Sequence, residues 1–176
     1  DKNRTELGYF TETGTISHTG VPLKGNTYCI FQDSKHNIWI ATKGEGLVKA
    51  RPQGGGHYKL TRYCHSRDDI YSLSDNNVYC VYEDVKGRIW VATFGGGINY
   101  LTHNRGGREI FVNHRNNLKG FPIDNCHKVR FVTGDHRGNI WIATTVGALM
   151  VNSDFKKPED AVFHHYVRVQ NDVNSL

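Results

Sequence analysis

Apolar residues recur along this chain in blocks that repeat with a fixed period. The clearest block reads Ile-Trp-Ile/Val-Ala-Thr, and its tryptophans Trp39, Trp90 and Trp141 follow one another at intervals of 51 residues (90 − 39 and 141 − 90). The block is apolar at consecutive positions rather than alternate ones, which predicts a strand covered on both faces. A period near 50 residues is typical of a tandem array of repeated structural units.

Each repeat is predicted to contain four short strands. The first is rich in aromatic and β-branched residues, and the tryptophan block is the second. A third strand follows a glycine-containing turn, and the fourth is more polar. The first strand is predicted at 27–32 and 78–83, and the second at 38–42, 89–93 and 140–144. The third is predicted at 46–49, 97–100 and 147–151, and the fourth at 58–63, 109–114 and 162–169. No segment shows sustained helical periodicity with capping residues.

An aspartate precedes each tryptophan by six residues, and we interpret it as a turn-former. Its carboxylate can accept hydrogen bonds from backbone amides, and a glycine three residues later can supply the positive φ that closes the turn. His36 occupies the glycine position in the first repeat. Structural roles are therefore predicted for the six repeat positions Asp33, Trp39, Asp84, Trp90, Asp135 and Trp141.

Four-stranded antiparallel units of this period predict an all-β fold, the β-propeller, in which the units are blades around an axis. A single sandwich or barrel does not explain the repetition. We expect about three blades plus partial blades at both ends, as one incomplete propeller domain in which 14–18 is the outer strand of a preceding blade. The predicted divisions are 1–25 (remnant of that blade and its connecting loop), 26–74 (blade 1), 75–122 (blade 2) and 123–176 (blade 3 and the start of the next).

The repeated phrase Asp-x-x-Gly-x-Ile-Trp-Ile-Ala-Thr, followed by Gly-Leu or Gly-Ile, resembles the two-component-regulator propeller repeat. The resemblance covers residues from about 8 to 176 and includes the segment Ser72-Leu73-Ser74-Asp75-Asn76. That repeat builds the sensor half of hybrid two-component systems in Bacteroidetes-type bacteria. The resemblance implies a periplasmic location, as the extracytoplasmic part of an inner-membrane protein. It also implies recognition of oligosaccharides and signalling to a histidine kinase elsewhere in the parent chain, with no enzyme activity in this segment.

The loops on one face of the predicted propeller are the candidate ligand-binding surface. Connecting loops between blades and turns between second and third strands emerge on that face, where side chains are free of packing. Arg, Asn and Asp beside aromatic rings suit a carbohydrate, although the same set also fits an ordinary solvated rim. The candidates are Arg67, Asp69, Tyr71, Phe94, Arg115 and Asn117.

Two other function classes remain open from the sequence. One is a protein-interaction scaffold, and the other is a propeller enzyme acting on polysaccharides. For the enzyme, Asp124 and His127 depart from the repeat near the predicted channel, but two polar residues do not make a site. The net charge of +5 comes from scattered side chains without a basic run, so no nucleic-acid partner is predicted. The expected partners are an oligosaccharide, the remaining blades of the parent chain and, through open blade edges, a second copy of the chain.

No cofactor and no metal site are predicted, and the four cysteines lack zinc-ligand spacing. Cys29 and Cys80 are one period apart, at equivalent positions of neighbouring blades. Packed sheets lie about 10 Å apart, whereas a disulfide needs Cα atoms within about 7 Å. We therefore expect these two residues to be small buried hydrophobic side chains, while a bridge between Cys64 and Cys126 stays open.

Overall fold

The structure, a computed structural model, describes residues 8–168, and nearly all of its regular elements are β-strands. In chain order they are β1 (Tyr9–Phe10), β2 (Ile16–Ser17), β3 (Asn26–Gln32), β4 (Ile38–Lys43), β5 (Leu47–Gly54), β6 (His57–Tyr63), β7 (Val78–Glu83), β8 (Ile89–Thr93), β9 (Gly97–His103), β10 (Glu109–Val112), β11 (Val129–Gly134), β12 (Asn139–Thr144), β13 (Gly147–Asn152) and β14 (Phe163–Tyr166). A one-turn helix α1 (Ile123–Cys126) and a 3₁₀ turn (Pro158–Asp160) lie in connections.

The strands form three four-stranded antiparallel sheets in which each strand pairs with its neighbours in sequence. Their orders are β3-β4-β5-β6, β7-β8-β9-β10 and β11-β12-β13-β14, and we call them blades 1, 2 and 3. The first strands β3, β7 and β11 lie beside one another, so they form the inner edge and β6, β10 and β14 the outer edge. This arrangement confirms the predicted fold class, a fragment of a β-propeller.

Apolar side chains between neighbouring blades form the core. Trp39 is buried with Val91 between blades 1 and 2, and Trp90 is buried with Ile142 between blades 2 and 3. Trp141 occupies the same position in blade 3 but is only half-buried, because no described blade packs on its far side. The repeated tryptophan thus contacts the next blade wherever one is present.

The turn between the first two strands has the same hydrogen bonds in every blade. The indole Nε1 donates to the aspartate Oδ2 at 2.8 Å for Trp39 and Asp33, 2.8 Å for Trp90 and Asp84, and 2.9 Å for Trp141 and Asp135. The other carboxylate oxygen accepts backbone amides two and four residues later. Hydrogen bonds from the Trp141 indole and from Asn139 hold the pKa of Asp135 well below its usual range. Each aspartate therefore both closes a turn and orients an indole ring.

The residue that closes the first of these turns is His36, whose φ is 63°, close to the 74° of Gly87 and the 77° of Gly138. The left-handed conformation is uncommon for a residue with a side chain, although histidine adopts it more readily than most. The prediction that His36 takes the place of glycine is confirmed.

A buried network of amide side chains fixes the loop between blades 1 and 2. Asn99 accepts the backbone amide of Ser74 at 3.0 Å and the Asn113 side-chain amide at 3.0 Å, and it donates to the Ser74 hydroxyl at 2.8 Å. All three residues are buried. Because buried polar groups need partners, this network attaches the loop to blade 2 in one conformation.

Residues 8–25, which are predicted to include the outer strand of a preceding blade, contain strands β1 and β2, and their assignment to such a blade stays a prediction. Among the described residues, β1 and β2 pair with each other as a two-stranded hairpin rather than joining a four-stranded sheet. The hairpin contacts the far end of blade 1, where the Gly14 carbonyl accepts the Tyr58 amide at 2.7 Å. Within residues 8–168, no helix has the length and hydropathy needed to cross a membrane.

Candidate functional site

The inner strand of every blade contains a break in register at the same repeat position. The break falls between Thr27 and Cys29 in β3, between Val78 and Cys80 in β7, and between Val129 and Phe131 in β11. The bulged residues are Tyr28, Tyr79 and Arg130, which are 51 residues apart. A β-bulge changes the direction of a side chain and is over-represented next to functional sites.

The bulged side chains line up across the three blades. The ring centroids of Tyr28 and Tyr79 are 4.5 Å apart, and Tyr79 stacks on Phe94 at 5.0 Å with an interplanar angle of 19°. The Arg130 guanidinium carbon lies 5.1 Å from the Phe94 ring centroid, and the Lys128 ammonium nitrogen lies 5.7 Å from it. We call these five side chains the bulge ladder. Aromatic pairs and cation–π contacts of this geometry are mutually stabilising.

Phe94 reaches the ladder because the turn between β8 and β9 is held on both sides. The Phe94 amide donates to the Asn77 carbonyl at 2.8 Å, and the Gly95 amide donates to the His127 carbonyl at 3.0 Å. A Cβ atom at Gly96 would lie 2.3 Å from the Ser74 hydroxyl oxygen, so only glycine allows this approach. The glycine run after Phe94 therefore allows this turn to pack closely against the loop between blades 1 and 2.

The bulge ladder combines accessible aromatic surface with two cations. Tyr28 is 47% exposed, Lys128 and Arg130 are exposed, and Tyr79 and Phe94 are half-buried. Within residues 8–168, neither the Tyr28 nor the Tyr79 hydroxyl has a hydrogen-bond partner. Such a surface offers ring edges for apolar contact, phenol groups that donate and accept, and cationic donors. It can therefore bind a polar molecule with an apolar face.

Of the six residues predicted from the sequence, only Phe94 belongs to the ladder. Four of the others come together at the outer edge of blade 2, where the Tyr71 carbonyl accepts the Phe111 amide of β10 at 2.8 Å. Asp69 forms an ion pair with Arg108 and lines a cleft of about 210 Å³ with Tyr71. Arg67 is exposed beside them.

Arg115 and Asn117 are engaged in contacts within the protein. The Arg115 guanidinium donates to the Arg67 carbonyl at 3.2 Å and lies 3.3 Å from the Ser72 hydroxyl, so it fastens the loop. The Asn117 amide donates to the carboxylate of Glu159. Phe94 lies toward the inner edge and the others toward the outer edge, which are about 14 Å apart in a four-stranded sheet, so the six candidates do not form one continuous surface. Their role in ligand binding stays a prediction.

The ladder residues that the sequence analysis missed are Tyr28, Tyr79, Lys128 and Arg130. One signal could have found three of them, because positions 28, 79 and 130 are equivalent in the repeat. The sequence does not reveal the bulge itself, so it cannot show that these tyrosines are exposed rather than facing the core.

A second polar cluster lies in a cleft of about 350 Å³ between the outer parts of blades 1 and 2. The Lys49 ammonium lies 2.6 Å from the Glu109 carboxylate, which also accepts the Tyr63 hydroxyl. Burial acts to raise the pKa of Glu109, but the hydrogen bonds from Lys49 and Tyr63 outweigh it and lower this pKa. Burial and the neighbouring carboxylate raise the pKa of Tyr63. A general base needs a pKa near the working pH, so this cluster has the character of an ion pair joining two blades rather than a catalytic site.

The fold and the repeated turn define a class of protein, the propellers built from short tryptophan-containing repeats. Residues 22–44 and 72–95 match the family described as two component regulator propeller. These two segments carry the repeat of that family, which confirms the resemblance seen in the sequence. A search of curated proteins gave no match.

Two crystal structures of the extracellular domain of BT4673 from B. thetaiotaomicron are similar to this chain. One, described as a one-component system, has a TM-score of 0.53 and 24% identity over 73% of this chain. The other, described as a hybrid two-component system, has a TM-score of 0.57 and 20% identity over 86% of this chain. The chain spans only 16% and 20% of those two chains. At this identity the similarity supports the propeller fold.

Proposed function

We propose that this chain is a ligand-sensing propeller segment of a hybrid two-component sensor and that its ligand is an oligosaccharide. In this proposal the segment lies in the periplasm, as the extracytoplasmic part of an inner-membrane protein. The signal passes to a histidine kinase elsewhere in the parent chain. The observation that carries the proposal is the bulge ladder, of which Tyr28, Tyr79 and Phe94 lie in the segments that match a two-component regulator family.

The chemistry of the ladder is suited to sugars for two reasons. The exposed part of the Tyr28 ring, extended by the half-buried rings of Tyr79 and Phe94, provides apolar surface for the C–H face of a pyranose ring. The free phenol groups and the Lys128 and Arg130 cations provide hydrogen bonds to hydroxyl or carboxylate oxygens. Ligand sites commonly combine apolar contact area with a few such polar groups.

The test is calorimetric titration of the complete extracytoplasmic region with a panel of plant and host oligosaccharides. Tyr28→Ala removes the most exposed ring of the ladder, and Tyr71→Ala is its matched control because Tyr71 is an exposed tyrosine (39%) at the outer edge. We expect saturable binding that weakens at least tenfold in Tyr28→Ala and stays unchanged in Tyr71→Ala. Both variants should keep the melting temperature of the parent.

The other outcomes distinguish the competing functions. Binding lost only in Tyr71→Ala would move the site to the outer edge and contradict the role of the ladder. Cleavage of a sugar during the titration, detected by chromatography of the products, would replace sensing with catalysis. If no oligosaccharide binds, the scaffold function is favoured and the sensor proposal is rejected for sugars.

A further inference from the structure

The cleft between the outer parts of blades 1 and 2, which we call the inter-blade cleft, collects positive charge from one face of blade 1. Arg51 of β5 and Lys59 of β6 are directly opposite each other in their antiparallel pair. Lys49 lies two residues before Arg51, so alternation along β5 directs both side chains to the same face of the sheet. The register thus explains why all three cations line one cleft of about 350 Å³.

Blade 2 lines the same cleft with a single carboxylate, and that carboxylate already has partners. Glu109 of β10 accepts a hydrogen bond from the Lys49 ammonium at 2.6 Å and another from the Tyr63 hydroxyl. His103 of β9 is the cross-strand partner of Glu109, and its Nε2 lies 3.9 Å from the same carboxylate. No acidic side chain that lines the cleft is therefore left for the other two cations of blade 1.

Arg51 and Lys59 are exposed, and within residues 8–168 neither of them forms an ion pair. Like charges directly opposite each other in an antiparallel pair are only about 5 Å apart and destabilise the sheet. With a neutral His103, the three cations and the Glu109 carboxylate leave a formal charge of +2 in the cleft (3 − 1). An anion with two negative charges, bound between the cations, would balance this charge and remove the repulsion.

We propose that the inter-blade cleft binds a dianion of the phosphate type, either the free ion or a phosphate monoester. The planar Arg51 guanidinium can donate two parallel hydrogen bonds to a pair of phosphate oxygens, which is a geometry that arginine favours. The Lys59 ammonium provides a point charge from the neighbouring strand, and the His103 imidazole can donate a further hydrogen bond from blade 2. The bound ion would connect the outer parts of the two blades.

The test is calorimetric titration of the complete extracytoplasmic region with sodium phosphate near pH 7, at an ionic strength held constant with sodium chloride. We expect saturable binding that weakens by roughly tenfold or more in the double variant Arg51→Gln/Lys59→Gln. The matched control is Arg137→Gln/Lys157→Gln, which removes the same charge from two exposed positions of blade 3. Phosphate should bind to the control variant as it does to the parent protein.

Three further ligands in the same titration identify the chemical class that the cleft recognises. Glycerol 3-phosphate that binds more tightly than inorganic phosphate assigns the site to a monoester, and weaker binding assigns it to the free ion. Glycerol, which has no charge, should not bind. Malonate is a dianion with planar carboxylates, and binding as tight as that of phosphate would overturn the assignment to a phosphate group.

Two other results would also overturn the proposal. One is the absence of saturable binding of both phosphate compounds to the parent protein, and the other is an equal loss of binding in the two double variants. A measurement without variants is the melting temperature of the parent, which should rise more with phosphate than with sodium chloride of equal ionic strength, because a ligand of the folded state stabilises it. None of these experiments uses an oligosaccharide, so their outcome is independent of the proposed sensor function.

Discussion

Replacing Trp90 with alanine tests whether the repeated indole holds neighbouring blades together. Trp90 is fully buried, and its ring centroid lies 5.1 Å from that of Tyr100 and 6.3 Å from that of Phe155. Loss of a large buried aromatic side chain costs about 3–5 kcal/mol. The hydrogen bond to the Asp84 carboxylate is lost as well, although Arg88 still donates to the same oxygen at 2.7 Å. We therefore expect a loss of about 5 kcal/mol in the free energy of unfolding.

The chain offers its own control at the equivalent position of blade 3. Trp141 has the same hydrogen bond to its aspartate but is only half-buried, so Trp141→Ala should cost about 2 kcal/mol. Urea denaturation followed by circular dichroism measures both values. Trp90→Phe keeps most of the apolar volume and should lose about 1–2 kcal/mol, which keeps the test usable if Trp90→Ala does not fold. Equal losses for the two alanine variants would refute the argument that contact with the next blade gives this position its importance.

Three further predictions concern the contacts that blades make with a connecting loop, with one another and with a second copy of the chain. Asn99→Leu, which introduces the residue type of Leu149 at the equivalent position, should cost about 2–3 kcal/mol in urea denaturation because the buried Ser74 backbone amide and one N–H of the Asn113 side chain lose their acceptor. The lowered pKa of Glu109 means that its contribution to stability is present above its unfolded value of 4.5 and is lost as the pH falls through the folded value. Glu109→Gln should therefore show a smaller drop in melting temperature between pH 7 and pH 3 than the parent protein does. Residues 1–176 should self-associate through the two outermost blade faces, where Ile30 is 67% and Phe131 54% exposed, and a monomer at high concentration in sedimentation equilibrium would contradict this.

The fold could be predicted from the sequence because its decisive contacts lie within one repeat. The distance of six residues from Asp84 to Trp90 contains both the turn and the hydrogen bond that orients the indole. The positive φ of His36 could be predicted in the same way, since the other two repeats have glycine at that position. Local contacts of this kind leave a pattern in the sequence, and the period repeats that pattern three times.

The site could not be predicted as well, because its contacts join residues that are far apart in the chain. Arg67 and Arg115 were placed on a binding face, yet the hydrogen bond between them uses the guanidinium to hold a backbone carbonyl. The contact of Tyr28 with Tyr79 depends on how the inner edges of blades 1 and 2 converge, and no spacing in the sequence specifies that distance.

The bulge position shows how the repeat separates folding from binding. The backbone break recurs at residues 28, 79 and 130 in all three blades, whereas the side chain changes from tyrosine to arginine in blade 3. The preceding position is apolar and buried in blades 2 and 3, as Val78 and Val129, and is the exposed Thr27 in blade 1. At the bulge, the backbone geometry repeats in every blade while the side chain differs, so packing of the core does not restrict the side chain at this position. Among the repeated positions of the inner strands, substitutions at the bulges should therefore change the chemistry of the ladder surface at the smallest cost in stability.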